Sequence, residues 1–117
     1  MRHKKTGRAF SRPSNQRTAL MRSLARSLVL EERISTTEAK AKELRPFMEK
    51  LVTRSRTDSV ANRRLVMSRV PDQAVVKKLF TVIGPRYAER PGGYTRIVKR
   101  TARGVSDARK LAYIAFV

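Results

Sequence analysis

The sequence predicts a small α+β domain of two layers, in which a small mixed β-sheet packs on helices behind an extended basic arm. Two observations lead to this fold class. The chain has 117 residues, of which 40% are hydrophobic, so it can bury one core. Apolar residues recur at helical spacing in three segments, a capping cluster at Thr57-Asp58-Ser59 predicts one further helix, and three other segments are predicted to be strands. The predicted order is helix, strand, three helices and two strands.

The basic N-terminal arm is predicted to span residues 1–13, and the single folded domain residues 14–117. The first 26 residues contain eight Lys or Arg residues and no Asp or Glu. A segment with this composition repels itself and stays extended until a polyanion neutralises it. Gly7 and Pro13 also discourage a helix in this region.

The first helix is predicted to run from Ser14 or Asn15, either of which can cap it, to about Leu30. Leucines recur at every fourth position on one of its faces, while arginines project from the opposite face. One side of this helix should therefore pack on the core, and the other should remain cationic.

A brief β-branched strand is predicted over residues 33–37, and its Ser and Thr residues can cap a second helix that extends to about Arg54. A third helix is predicted over residues 60–69. The fourth helix should begin after Asp72 and stop at Gly84-Pro85. Its apolar residues fall on one side, which predicts a strongly amphipathic helix.

Two strands complete the predicted domain. Residues 95–102 are predicted to form a strand, and residues 111–117 form a continuous apolar run that predicts a buried final strand. A loop over residues 85–93 joins the fourth helix to these strands.

The sequence argues against catalysis, cofactors and membranes. It contains no cysteine, and its one histidine, His3, has no second His or Cys with which to hold a metal. No nucleophile triad or phosphate-binding glycine loop is present, so no enzyme activity and no small-molecule substrate are expected. No apolar stretch approaches the roughly 18 residues that a membrane span needs. The cytoplasm is the expected compartment, since no secretory signal is evident.

The acidic residues are interpreted as members of ordinary solvated helix pairs. Glu38 has helical i,i+4 spacing to Lys42, and Glu49 has the same spacing to Arg45. Each such pair stabilises a helix by a few tenths of a kcal/mol.

The charge balance predicts a nucleic-acid partner. The chain has 28 Lys and Arg against 9 Asp and Glu, for a formal net charge of +19. The candidate RNA-binding residues of the arm and first helix are Arg2, His3, Lys4, Lys5, Arg8, Arg12, Arg17, Arg22 and Arg26. On the third helix, Arg63 and Arg64 are candidates too, although a solvated face explains them about equally well.

The loop before the last two strands is a more specific candidate for RNA binding. Its candidate residues are Arg86, Tyr87, Arg90, Gly92, Gly93, Tyr94 and Arg96. The arginines can bind phosphate in a bidentate manner, the tyrosines are flat enough to stack, and paired glycines let a phosphate approach the backbone. In the alternative interpretation, the tyrosines close the core and the glycines only turn the chain.

Several segments, in the same order along the chain, resemble the family of bacterial large-subunit ribosomal protein seventeen. They are Met1-Arg2-His3-Lys4-Lys5, Thr36-Thr37 to Arg45, Thr57-Asp58-Ser59 to Leu65, Gly84-Pro85-Arg86, Gly92-Gly93-Tyr94-Thr95-Arg96 and Ala112-Tyr113-Ile114. The resemblance implies a structural protein of the 50S subunit of the bacterial ribosome that binds 23S ribosomal RNA. It also implies large-subunit proteins thirty-two and twenty-two as neighbours.

The expected mechanism is the stabilisation of folded RNA. Closely packed phosphates repel each other, and a basic arm placed between RNA helices neutralises them while it releases counterions. The chief alternative is a nonspecific DNA-binding, nucleoid-type protein, which would share the charge and the salt dependence. The sequence has no helix-turn-helix signature or zipper heptads to support that alternative.

Overall fold

The computed structural model of the chain describes residues 13–103 and 110–117. The predicted α+β class and the predicted order of elements are confirmed. The elements are α1 (Ser14–Glu31), β1 (Arg33–Thr37), α2 (Glu38–Ser55), α3 (Val60–Arg69), α4 (Gln73–Lys78), a π-helical segment (Leu79–Ile83), α5 (Gly84–Arg86), β2 (Thr95–Arg103) and β3 (Lys110–Phe116). Residues 1–12 of the predicted arm lie outside the described residues, so the arm stays a prediction.

Three helices begin at side-chain caps, which satisfy backbone N–H groups that have no partner inside the helix. The Thr37 hydroxyl accepts a hydrogen bond from the backbone of Lys40 in α2. The Ser59 hydroxyl accepts one from Asn62 in α3, and the Asp72 carboxylate accepts two from the first turn of α4. The predicted starts of α2, α3 and α4 follow from these short polar side chains.

The first helix begins without such a cap. Pro13 precedes the helix with an extended backbone (φ −60°, ψ 160°), and Ser14 is already helical. The Asn15 side chain accepts a hydrogen bond from its neighbour Gln16 instead. The prediction that Ser14 or Asn15 caps α1 is therefore wrong, because the helix begins directly after the proline.

The sheet has the strand order β1-β3-β2, and both pairs of strands are antiparallel. The expectation of a mixed sheet is therefore wrong, because β3 runs opposite to both of its neighbours. Ile114 lies at the centre of the sheet and pairs with Ile34 on one side and Ile97 on the other. In β3 only Ala112 and Ile114 are fully buried. The final strand is thus buried on one face only, because helices cover only that face.

The core lies between the covered face of the sheet and the helices. α2 contacts all three strands and is the central helix of the layer. The fully buried residues of the helical layer include Leu28, Val29, Leu44, Met48, Val52, Val66, Val75, Leu79 and Ile83. Most of the residues that the helical periodicity placed on inner faces therefore lie in one core, although Leu20 and Leu24 of α1 are only partly buried.

The sequence predicted that the fourth helix stops at Gly84-Pro85, and this prediction is wrong. The Gly84 N–H bonds the carbonyl of Leu79, five residues earlier, and the helix continues to Arg86. Pro85 has no N–H group to donate to the preceding turn, and the wide π turn accommodates this missing hydrogen bond. Gly84 has helical backbone angles (φ −56°, ψ −52°), and a Cβ there would lie 2.7 Å from the carbonyl carbon of Ser55. This glycine therefore permits close packing on the end of α2 and does not end the helix.

Candidate nucleic-acid interface

The glycine-containing loop is tied to α2 by the carboxylate of Glu49. Its Oε1 accepts hydrogen bonds from the backbone N–H groups of Gly93 (3.0 Å) and Tyr94 (3.3 Å). Its Oε2 accepts from the backbone N–H (3.0 Å) and the hydroxyl (2.8 Å) of Thr95. The interpretation of Glu49 as a solvated helix partner of Arg45 is wrong, because folding brings four donors from the loop to this carboxylate. The pair of Glu38 and Lys42 is confirmed, at 2.8 Å.

The glycines of the loop adopt backbone conformations that disfavour other residues. Gly92 has φ +123° and Gly93 has φ +65°, and no atom lies within 4 Å of a Cβ built on either one. Their positive φ values explain them as turn residues. An approaching phosphate would find the backbone exposed, but the N–H of Gly93 already donates to Glu49. A phosphate contact at this loop stays a prediction, and it would have to use other donors.

Both tyrosines of the loop are buried. Tyr87 is 4% exposed and Tyr94 is 1% exposed, and their ring centroids lie 5.3 Å apart. The Tyr94 hydroxyl is 3.1 Å from the hydroxyl of Thr53 on α2, and the Tyr87 hydroxyl donates to the carbonyl of Val117. Neither ring presents a face to which a base could stack. The alternative interpretation, in which the tyrosines close the core, is the arrangement that the structure shows.

The three arginines of the loop region have different surroundings. Arg86 donates to the Glu32 carboxylate at 2.6 Å, and Lys78 lies 3.1 Å from the same carboxylate. The hydrogen bond from Arg86 holds the pKa of Glu32 below its usual value. Arg90 is exposed, makes a long contact of 3.4 Å to the Gly93 carbonyl, and has its Cζ atom 5.6 Å from the centroid of the Tyr87 ring. Arg96 is exposed on β2. All three side chains are exposed, but among the described residues only Arg86 has a carboxylate partner, so Arg90 and Arg96 are the two without one.

Two predicted RNA-binding arginines form ion pairs within the domain. Arg26 lies 2.7 Å from Asp72 and is the main cause of that residue's lowered pKa. Arg63 binds both oxygens of Asp58, at 2.6 and 2.9 Å, and this lowers the pKa of Asp58. Each guanidinium group therefore already has a carboxylate partner that a phosphate would have to share or displace.

The remaining predicted residues are distributed over the surface. Arg22 donates to the backbone carbonyls of Arg69 and Ser68 and so connects α1 to the end of α3. Arg17 is half-buried near the start of α1, and Arg64 is exposed on α3. The other candidates of the arm lie outside the described residues: Arg2, His3, Lys4, Lys5, Arg8 and Arg12. The structure therefore does not bring all candidates into one site.

The open face of the sheet carries a cationic cluster of which the sequence analysis identified only Arg96. The Cζ atom of Arg33 on β1 lies 4.0 Å from the ring centroid of Tyr113 on β3. The Cζ atom of Arg100 on β2 lies 5.1 Å from the same centroid. Arg96 and the exposed Val98 share this face. Alternation along β1 and β2 could have indicated that Arg33 and Arg100 lie on the exposed face of their strands. Only the strand order shows that both strands flank Tyr113.

The carboxylates of the domain are mostly engaged in internal contacts. Besides Glu49, the engaged residues are Glu32, Glu38, Asp58 and Asp72, each within an ion pair. Within residues 13–103 and 110–117, no group of three or more His, Cys, Asp or Glu could hold a metal ion. In the same ranges, none of the helices has both the length and the apolar character to cross a bilayer.

Two comparisons with known proteins agree with each other. Residues 20–117 match the family model described as ribosomal protein L17. Over all of its 117 residues the chain is 54% identical to the large ribosomal subunit protein bL17 of Sphingopyxis alaskensis, of which the match covers 84%. The similarity thus extends over every helix and strand described above.

Proposed function

The chain belongs to the ribosomal protein L17 family, and we propose that within the large ribosomal subunit it binds and stabilises folded 23S rRNA. The family is one of structural ribosomal proteins and not of enzymes. The observation that carries the proposal is the way the domain uses its charges. Of 9 acidic residues in the chain, most of those described are bound internally, while the formal net charge is +19. The cationic surplus is therefore left for an external polyanion.

The arm and the start of α1 are proposed to supply the largest electrostatic contribution. This part of the chain concentrates cations without a single acidic residue up to Arg26. When it binds between closely packed phosphates, it releases counterions and loses conformational entropy only in the assembled particle. The folded domain would determine where the arm enters the RNA.

The domain itself is proposed to contact the RNA backbone through exposed arginines. Arg64, Arg90 and Arg96 are exposed and have no ion pair with a described residue. Their guanidinium groups can bind phosphate oxygens in a bidentate manner. Because Tyr87 and Tyr94 are buried, their rings do not stack on bases in this binding mode. Recognition would rest on RNA shape and backbone charge.

The proposal includes the surroundings of the protein. It would work in the bacterial cytoplasm as part of the large subunit, next to other ribosomal proteins. Large-subunit proteins thirty-two and twenty-two are the proposed neighbours, as the resemblance of the sequence implies. Nonspecific DNA binding is the competing outcome of the experiments below.

Gradient fractionation of a cell lysate tests the ribosomal assignment. We expect the protein to sediment with large subunits and to leave those fractions after ribonuclease treatment. Deoxyribonuclease provides the matched control and should not move it. A protein that is released by deoxyribonuclease and not by ribonuclease would be a DNA-binding protein instead.

Titration of purified protein with 23S rRNA tests the electrostatic mechanism. With six to ten phosphate contacts, affinity should fall by roughly 10³ to 10⁵ between about 50 and 200 mM salt. A variant that lacks residues 2–12 should show a shallower salt dependence and weaker binding. Its thermal unfolding should match that of the full chain, since the described core begins at Ala25. An affinity that does not change with salt would contradict the mechanism.

A further inference from the structure

We propose that the open face of the sheet is a second RNA contact, where Arg33 and Arg100, both stacked on Tyr113, hold a phosphate of the RNA backbone. The inference rests on the proposed function, because it adds a defined surface to the binding of rRNA. We call this surface the sheet-face cluster: Arg33, Arg96, Val98, Arg100 and Tyr113.

The strand order brings the members of the sheet-face cluster together. Tyr113 on the central strand pairs with Ser35 of β1 and with Val98 of β2. Arg33 is two residues before Ser35, and Arg100 is two residues after Val98, just where the register of β2 becomes irregular; its 5.1 Å ring contact and its bond to Ser35 place it on this face. Residues two apart in a strand point to the same face of the sheet. The two arginines therefore approach one ring from neighbouring strands on either side.

The stacking contacts hold the guanidinium groups in place. Their Cζ atoms lie 4.0 and 5.1 Å from the Tyr113 centroid, within the range of cation–π contacts. Arg100 also donates to the Ser35 hydroxyl at 2.9 Å. A guanidinium group that stacks on a ring still has N–H donors free along its edge. Those donors are ordered before a phosphate arrives, so less side-chain entropy is lost on binding.

Unlike several other arginines of the domain, the arginines of the sheet-face cluster have no carboxylate partner in the part of the chain that the structure describes. Arg26, Arg63 and Arg86 each have a carboxylate partner. Among residues 13–100 and 110–117, no carboxylate forms an ion pair with Arg33, Arg96 or Arg100. Two like charges at one ring repel each other, and an anion bound at this face offsets that repulsion.

The shape of the face suits a polymer with a charged backbone and a less polar sugar. A half-open recess of about 240 Å³ is lined by Arg33, Arg96, Val98, Tyr113 and Phe116, among others. Arg100 does not line this recess but contacts the same Tyr113 ring. Val98 is 51% exposed and adds an apolar surface to this face. The arginines could neutralise a phosphate while Val98 contacts the attached ribose.

The test compares charge removal on this face with charge removal elsewhere. The double variant Arg33→Gln/Arg100→Gln should bind 23S rRNA at least about tenfold more weakly, and its salt slope should fall by roughly one to two. The control Lys50→Gln/Arg54→Gln removes the same charge from exposed positions on α2 and should change both values much less. Thermal unfolding of each variant shows whether it is folded.

A second pair of variants tests the role of the ring. Tyr113→Leu keeps both charges but removes the stacking surface, so it should weaken binding severalfold. Tyr113→Phe keeps the ring and should bind as the unaltered protein does. Protection of Arg33 and Arg100 from phenylglyoxal by 23S rRNA, read by mass spectrometry on the unaltered protein, gives the same information without a variant.

The outcomes separate the two proposals. If the unaltered protein binds 23S rRNA and the sheet-face double variant matches its control, this inference fails and the proposed function stands. If the unaltered protein does not bind 23S rRNA, the proposed function fails as well. Variants that bind free rRNA normally but do not enter subunits would show that the face contacts a protein, and this too overturns the inference. If phenylglyoxal modifies Arg33 and Arg100 equally with and without 23S rRNA, the inference is overturned as well.

Discussion

Glu49 on α2 accepts a hydrogen bond from the backbone N–H of Gly93, with 3.0 Å between Oε1 and the nitrogen. The same carboxylate also accepts hydrogen bonds from Tyr94 and Thr95, so one side chain holds the position at which the loop ends and β2 begins. The loop presents a row of N–H groups of the kind that binds anions. Here the anion is supplied by the protein itself.

Replacement of this carboxylate should destabilise the domain. In Glu49→Gln the amide can accept from only one of its two terminal atoms, so partly buried donors of the loop lose their acceptor. We expect the free energy of unfolding to fall by about 1 to 3 kcal/mol, measured by chemical denaturation. Glu89→Gln, at an exposed position, is the control and should leave it unchanged. A Glu49→Gln protein as stable as its control would show that the contact contributes little.

The two glycines of the loop allow a test of backbone strain against phosphate approach. Gly93 has φ +65° and open space around its Cβ position. Valine there should therefore cost about 1 to 2 kcal/mol through its backbone conformation alone. Gly93→Asn should be tolerated better, because Asn adopts this conformation more readily. Denaturation curves of both variants measure the difference.

RNA incorporation of the same Gly93 variants gives the second measurement. If the glycine only turns the chain, incorporation into subunits should follow stability. A Gly93→Asn variant that is stable but fails to assemble would instead support close approach of a phosphate to this backbone.

Gly84 should not tolerate even the smallest side chain. Alanine favours helices over glycine by about 1 kcal/mol, so helix propensity alone predicts that Gly84→Ala stabilises the protein. The added Cβ would meet the backbone of Ser55 and, at 2.9 Å, the carbonyl oxygen of Leu79. Overpacking of this kind costs about 1 to 3 kcal/mol or more, so we expect a lower midpoint of thermal unfolding. Thr81→Ala, at an exposed position of the same segment, should not lower it comparably. A higher midpoint for Gly84→Ala would contradict the predicted clash.

The ion pairs of Glu32 predict how stability responds to acid. Chiefly the Arg86 hydrogen bond lowers the pKa of Glu32 from its usual 4.5 in the folded protein. A carboxyl group with a lowered folded pKa stabilises the fold above its unfolded pKa and loses this contribution as the pH falls through the folded value. Glu32→Gln should therefore be less stable than the unaltered protein near neutral pH.

The pH series distinguishes this pair from the other carboxylates. The difference in unfolding midpoint between the unaltered protein and Glu32→Gln should shrink as the pH falls below 4.5. Asp58 and Asp72 also have lowered pKa values, so both proteins should lose stability in acid. Glu89→Gln should follow the unaltered curve throughout. A difference that stays constant with pH would mean that the charge of Glu32 is not what stabilises the fold.

Some features of the structure could be predicted because their causes are local. Thr37, Ser59 and Asp72 cap helices within three residues of their own position, and β1 follows from a β-branched run of five residues. The inner faces of the helices follow from periodicity in the same way. Local signals failed where a distant neighbour decides. Gly84-Pro85 has the composition of a helix stop, yet Ser55 from α2 explains the glycine.

The candidate site divides along the same line. By itself, the sequence determined the α+β class, the order of elements and the large cationic surplus, because composition and periodicity need no knowledge of distant contacts. Only the tertiary structure decided which charges remain free. Glu49 binds a residue 46 positions away, and Arg86 binds one 54 positions away. Long-range packing also buries Tyr87 and Tyr94 and places Tyr113 between two arginines. Hydrophobic burial and strand pairing bring residues together in space whatever their separation in the sequence.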